Sequence, residues 1–221
     1  MCPVCNHGIT RILLADKQGR VYHRCQRCEA TWLDPAHYLS PDKELTHYQT
    51  HQNDADDEGY RKYLSRLADP LLDRLMPNSS GLDYGCGPGP ALAAMMRETG
   101  HRMAVYDPFF AQDKVPLAGT YDFITCTEAA EHFHNPRREF EKLSEMLKPG
   151  GILAIMTIFQ TDDARFEGWR YRHDPTHVVF YRPCTFRVIA GQLGLSCEIM
   201  GRDVAFLISG DAMKAAARHM T

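Results

Sequence analysis

The 221 residues contain no apolar run long enough to cross a membrane; the longest, Ile152–Met156, has the length of a strand. The opening "MCPVCNHGIT" lacks the apolar core of a secretory leader, so a cytoplasmic setting is expected. There is no internal repeat and no low-complexity tract. Excess basic charge is missing too. Lys and Arg number 25 against 28 Asp and Glu, for a formal net charge of −3, so no overall positive field would gather nucleic acid. What remains is an ordinary globular composition, 44% hydrophobic and 24% charged. The length suggests one domain with an appendage.

Cysteine is present in number, eight in all. In a cytoplasmic setting that points to metal or free thiols rather than disulfides. Four of the eight form two pairs, "CPVC" at Cys2 and Cys5 and "CQRC" at Cys25 and Cys28. Two residues inside each pair let both sulfurs of a turn face one ion. Residues 6–24 fit a β-hairpin that returns the second pair to the first. This is the spacing of a tetrahedral structural zinc ribbon; coincidental thiols are the alternative. His7 and His23 are spare ligands nearby, but four thiolates close the site and leave no catalytic position. Residues 1–35 carry five basic side chains (Arg11, Lys17, Arg20, Arg24, Arg27) and three acidic ones (Asp16, Glu29, Asp34). A zinc ion with four thiolates adds about −2 and brings the module near neutral. That weakens an RNA-gripping role and favours a lid or a partner contact.

Residues 36–57 read as a polar, acidic linker or cap, yet His47, Tyr48 and His51 sit inside it, as a segment draped over a pocket would require. From residue 58 onward, strands alternate with helices. "YRKYLSRLADPLLDRLM" has a helical stripe, with Pro70 expected to kink it or to begin its second half. A strand leads to "YGCGPG"; a helix follows, with Pro90 in its first turn and Gly100 past its end. "HRMAVYD" and "YDFITCTEA" are strands. Asn135 and Pro136 open a helix expected to stop at "KPGG", and "ILAIMT" is a buried strand. "TFRVIAGQLG" is a helix closed by Gly194, and two terminal strands meet at Gly201–Arg202. The pattern predicts a doubly wound α/β sheet over residues 58–221.

The glycine loop tells what the sheet holds. A P-loop ends in Gly-Lys-Ser/Thr, and here Pro90 and Ala91 follow the last glycine. A dinucleotide fingerprint needs Gly or Ala at its sixth position, where this chain has Pro90. What stands is Gly85-x-Gly87-x-Gly89 with Asp83 two residues ahead. A carboxylate repels pyrophosphate and attracts an ammonium or sulfonium, so the loop suits a cationic, phosphate-free adenosine ligand. Asp107, at the end of the next strand, is placed to accept both ribose hydroxyls. Pro108, Phe109 and Phe110 can wall an adenine or belong to ordinary core.

The stretches "LDYGCGPG", "VYDPF", "YDFITCTEAAEHFHNP" and "LKPGGILAIMT" resemble, in order, the motifs of class I S-adenosylmethionine-dependent methyltransferases, near the quinone-precursor O-methyltransferases. With the ribbon ahead and "DPTHVVFY" after, the chain is similar to bacterial members of unassigned substrate. The resemblance covers about Cys2–Cys28 and Gly81–Ile208. It implies S-adenosylmethionine as cofactor. Gly85, Cys86, Gly87 and Gly89 would line its methionine part, Asp83 would lie behind its amino group, and Asp107, Pro108 and Phe109 would hold its ribose and adenine. Thr127 would approach the amino acid part through its backbone, and Glu131 and His132 would open the next helix at the site rim. Members usually have a helix and a third strand where this chain has only residues 108–120. Thirteen residues cannot hold both, so that edge is expected to be reduced to a loop.

Methyl transfer from a sulfonium is an in-line displacement in which the protein supplies orientation, a dry cavity and, for many acceptors, a base. His132 and His177 are the candidates, with helix bracing and a structural hydrogen bond as their bland alternatives. His177 lies in an insertion at about residues 160–183 that would cover the acceptor. Its Trp169, Tyr171, Tyr181, Arg170, Arg172 and His173 suit a flat or anionic acceptor. A second metal between "HFH" and "HDPTH" is not expected, because no carboxylate–histidine set at fixed helical spacing is visible. Cys86, Cys126, Cys184 and Cys197 read as buried, inert thiols. The expected function is O- or N-methylation of a small-molecule or glycan-like acceptor. An rRNA or tRNA methyltransferase that uses the ribbon, and a non-catalytic cofactor-binding scaffold, are the competing readings.

Overall fold

The computed structural model describes residues 1–50 and 55–210, so His51 lies outside the described residues. The N-terminal hairpin joins β1 (Thr10–Ala15) to β2 (Val21–Cys25). Its turn is tied by Asp16, whose carboxylate accepts the backbone N–H of Gln18 at 3.0 Å and of Arg20 at 2.9 Å. β3 (Thr31–Leu33) pairs with β2. The fourth strand of this sheet comes from far along the chain: β8 (Val179–Phe180) pairs with β3. The ribbon is therefore closed by the insertion and is not an appendage on a tether.

Between the two parts, α1 (Pro41–Tyr48) forms where composition suggests a linker, with Asp42 and Glu44 in the first turn, where the positive end of the helix dipole favours them. α2 (Glu58–Leu72) is capped by the Asp57 carboxylate, which accepts from the Tyr60 N–H. The helix runs through Pro70 instead of restarting there, and it buries Leu64, Leu67, Ala68 and Leu71.

The main sheet has six strands: β4 (Ser80–Tyr84), β5 (Arg102–Tyr106), β6 (Tyr121–Thr127), β7 (Leu147–Met156), β9 (Ser196–Met200) and β10 (Val204–Ile208). Their order is β5-β4-β6-β7-β10-β9. The first four are parallel, and β10 runs antiparallel to both β7 and β9. Helices α3 (Ala91–Glu98), α4 (Pro136–Glu145) and α5 (Pro183–Leu193) fill the crossovers. The "KPGG" stretch does not end a helix; α4 stops at Glu145 and "KPGG" is already inside β7. Between Asp107 and Tyr121 there is one bridge, Asp107 to Ala111, and a short 3₁₀ turn at Val115–Ala118. The third strand and its helix are absent, as the residue count required, and β5 is left as the sheet edge.

Alternation along the strands sorts the core into two faces. Phe123, Ala154, Met156 and Phe206 pack under α2 and α3. Ile124, Cys126, Leu153, Ile155 and Leu207 face α4 and α5, and the same cluster runs without a break into Cys2, Val4, Tyr22 and Trp32 of the ribbon. Ion pairs stitch that seam: Arg172 Nη1 to Asp16 Oδ2 at 2.9 Å, with both side chains buried, and Arg182 to Glu29 at 2.7 Å. Among the described residues, no helix is long and apolar enough to cross a membrane.

Candidate active site

A cavity of about 880 Å³ opens at the carboxyl ends of β4, β5 and β6, on the edge where ligands of such sheets lie. Its floor is the glycine loop. Gly85 has φ +77°, and a Cβ there would stand 2.5 Å from the Cβ of Ala129. Gly87 has φ +64°. Both therefore need the freedom only glycine has. Gly89 and Cys86 also line the cavity, and burial pushes the Cys86 thiol up to about 12.

Asp83 lies beneath the loop, 3% exposed, accepting from Thr125 Oγ1 at 2.8 Å. Burial pushes its carboxyl up to about 6. Asp107 accepts the N–H of Phe109 (2.8 Å) and Phe110 (3.0 Å) on one oxygen and of Gly87 (3.0 Å) on the other. A carboxylate has about four lone-pair sites. Three are engaged, so the structure leaves capacity for one ribose hydroxyl rather than both. Pro108, Phe109, Phe110 and Thr127 line the cavity, and the Thr127 hydroxyl is buried without a partner.

α1 roofs the opening. The Tyr48 ring packs 5.3 Å from Phe109 on one side and 5.3 Å from His132 on the other, so it bridges the two halves of the cavity. Glu44 is held by His134 Nε2 at 2.7 Å, and His47 reaches Asp174 at 3.2 Å.

The far end brings together His132 and His177, 45 residues apart in sequence, with ring centroids 4.7 Å apart. Each imidazole donates Nδ1–H to a carbonyl, His132 to Thr176 at 3.0 Å and His177 to Tyr171 at 2.8 Å. Burial, then the neighbouring His132, push His177 down to about 3, so it is neutral at physiological pH. Its Nε2 lies 4.0 Å from Glu131 Oε1 and from Asp174 Oδ2. Glu131 is not at the rim, as the motif implies, but 1% exposed. Burial raises Glu131 to about 7, and burial together with the Glu131 charge raises Glu128 to about 8. The Tyr171 hydroxyl donates to Glu131 and sits 3.4 Å from Glu128 Oε2.

Several sequence expectations are redirected. Arg172 is buried against Asp16, Tyr181 is wholly buried with its hydroxyl on the Ala130 carbonyl, and Arg170 and His173 are exposed. From the insertion, Asp174 and His177 line the cavity, and the arginines do not. The pocket is carboxylate-rich there, which argues against an anionic acceptor. Of the four remaining cysteines only Cys126 is fully buried; Cys86, Cys184 and Cys197 are half-buried, though burial raises every one of their thiols. Glu44, Glu128 and Tyr60 line the cavity without a sequence signal assigned to them; Glu128 stands out only through its φ of +48°.

The Sγ atoms of Cys2, Cys5, Cys25 and Cys28 converge outside the cavity, all buried and within 4.8 Å of one another. Cys2 and Cys28 are 3.7 Å apart, Cys5 and Cys25 3.6 Å. Each pair is followed by a residue in left-handed backbone, Asn6 and Glu29, which turns the chain around the sulfurs.

Comparison with known proteins agrees with this geometry. Residues 56–198 match the methyltransferase domain family. The ubiquinone biosynthesis O-methyltransferase of Shewanella pealeana is 26% identical over 191 residues, 78% of this chain and 80% of that protein. The corresponding protein of Colwellia psychrerythraea is 32% identical, but over 88 residues, 39% of this chain and 35% of its own length. Among solved structures, the 1,6-didemethyltoxoflavin-N1-methyltransferase of Burkholderia thailandensis, with 1,6-didemethyltoxoflavin and S-adenosylhomocysteine bound, superposes with a TM-score of 0.52. It is 14% identical, covering 90% of this chain and 98% of that one, a likeness of fold.

Proposed function

Because this chain belongs to the methyltransferase domain family and is an S-adenosylmethionine-dependent methyltransferase, we propose that it methylates an oxygen or nitrogen of a small, uncharged or cationic acceptor. One observation carries the reading. A single cavity runs from the glycine loop and Asp107 to the facing His132 and His177. Its size is within the range of small-ligand pockets. Gly85, Cys86, Gly87 and Gly89 would hold the methionine part of the cofactor, Asp83 would counter its ammonium, Asp107 would accept one ribose hydroxyl, and Pro108 and Phe109 would wall the adenine. Thr127 faces the amino acid part. The acceptor would lie in the cavity against Tyr48, His132 and His177. When bound, the cofactor supplies an electrophilic methyl; the chain's own side chains orient the acceptor and exclude water. The O-methyltransferase relative agrees with an oxygen acceptor of small size.

The four cysteines fit a structural zinc. A tetrahedron with Zn–S of about 2.3 Å has sulfurs about 3.8 Å apart, close to the two separations found. Residues 1–35 thus make a ribbon, 36–57 a cap and 58–221 the catalytic domain.

The test is transfer of a labelled methyl group from S-adenosylmethionine into fractionated cell extract, with Asp107→Ala as control. Label in the small-molecule fraction, lost with the control, is the expected result. Label in RNA instead would replace the small-molecule acceptor with a nucleic acid. No label in any fraction, with cofactor binding intact, would reject catalysis.

A further inference from the structure

We propose that the first turns of α4 read the adenine of the cofactor, with Glu139 accepting from its exocyclic amine and Asn135 donating to the ring nitrogen beside it. This rests on the cofactor assignment above and adds to it the residues that select the base.

The missing strand creates the need. Residues 108–120 hold a bridge and a 3₁₀ turn in place of a third strand and its helix, so no further strand follows β5 to contact the base. Readers must come from elsewhere on the cavity wall. Of the charged, amide and imidazole side chains that line it, Glu128, Glu131, His132, Asp174 and His177 gather at the far end. Asp83 lies beneath the glycine loop, Asp107 is committed to the ribose, and Glu44 and His134 hold each other. What is left is one helix: Asn135, Arg138, Glu139 and Lys142 of α4 all line the cavity.

Two of these form a matched pair. Glu139 is held in place, because the Tyr84 hydroxyl donates to its Oε2 and Lys142 Nζ donates to that hydroxyl at 3.1 Å. Tyr84 is 6% exposed, which anchors the chain of contacts in the core. A carboxylate has about four lone-pair sites, so Glu139 can still accept an N–H. Asn135 precedes it by one helical turn, which makes the two side chains neighbours on the helix surface. As N-cap, Asn135 accepts the Arg138 N–H on Oδ1 at 3.3 Å, and its amide N–H groups are left to donate. An acceptor beside a donor complements adenine, whose amine donates next to a ring nitrogen that accepts.

The surroundings suit a neutral, flat base. Tyr106, the residue before Asp107, and Phe133 line the cavity, with their ring centroids 5.3 and 6.2 Å from that of Tyr84. Lys142 Nζ lies 4.9 and 5.3 Å from the ring centroids of Tyr84 and Tyr106 and offsets the charge of Glu139, so the pair does not demand a cation.

The test is calorimetric titration of the zinc-loaded full chain with S-adenosylhomocysteine and with its analogue in which hypoxanthine replaces adenine. Hypoxanthine presents a carbonyl oxygen where adenine has the amine, and that oxygen would face the Glu139 carboxylate. The wild-type chain should prefer the adenine ligand by about tenfold or more. Glu139→Gln has the same shape and an amide that can turn either way, so it should bind both ligands within about threefold of each other. Glu141→Gln, on the same helix and paired with Arg137, should keep the wild-type preference. Equal affinities in the wild-type chain, or a preference that Glu139→Gln leaves intact, would overturn the base contact. Preference for adenine without methyl transfer to any fraction would keep the contact and reject catalysis. Failure of both ligands to bind would reject the cofactor assignment and the contact with it.

Discussion

Asp83 is a carboxylate with almost no access to water, held by Thr125 and raised to about 6 by burial. Below about pH 4 it is protonated in the folded and the unfolded chain. Between pH 4 and 6 the folded chain keeps a proton that the unfolded chain has released. Stability therefore declines as pH rises through that window and is level above it. The cost at neutral pH is about 3 kcal/mol. Asp83→Asn should raise the melting temperature of the cofactor-free protein at pH 7 and leave it unchanged near pH 4. It should weaken S-adenosylhomocysteine binding, since the ammonium loses its counter-charge. Melting curves from pH 4 to 8 with and without that ligand would check both; a pH-independent difference would count against the burial argument. Asp83 and Asp107 were both legible in the sequence, because an acid at the end of a strand beside a glycine loop has a recognisable spacing. That Asp107 has one lone-pair site left was not, because its other partners are backbone amides placed by the loop's path.

Two elements behave differently from their local sequence. The acidic stretch before α2 reads as a tether, yet α1 folds there and sets Tyr48 between Phe109 and His132. The two-residue strand β8 is too short to be read from pattern and exists because β3 offers it an edge. Next to it, Arg172 lies over the rings of Tyr22 and Phe166 and pairs with Asp16 out of water. Arg172→Met should destabilise the protein by about 3 kcal/mol, because the Asp16 charge stays buried with Arg20 as its remaining partner. Urea unfolding would measure it. A loss under about 1 kcal/mol would mean that the seam between ribbon and insertion is wetter than the structure has it.

At the scale of the molecule, the ribbon and the main sheet share one apolar cluster. A metal that closes the ribbon therefore supports the insertion, and through it His177. Stripping zinc with a chelator should lower the melting temperature of the whole chain in a single transition and reduce cofactor binding. Two separate transitions, with the upper one unmoved, would show that the ribbon is an independent unit.

The amino-acid sequence by itself determined the sheet, the loss of its third strand and the convergence of the four cysteines. Each follows from local rules: period, glycine and proline punctuation, the reach of thirteen residues, and paired thiol spacing. Only the tertiary structure decided which insertion residues meet the cavity. Arg172, which looks like an acceptor contact, is drawn into the seam with the ribbon and Arg170 points to solvent, while Asp174 and His177 turn to the pocket. The carboxylate–histidine cluster is equally a product of folding. Glu131 and His177 lie on separate crossovers, and no spacing in the chain records a contact made across the sheet's carboxyl edge.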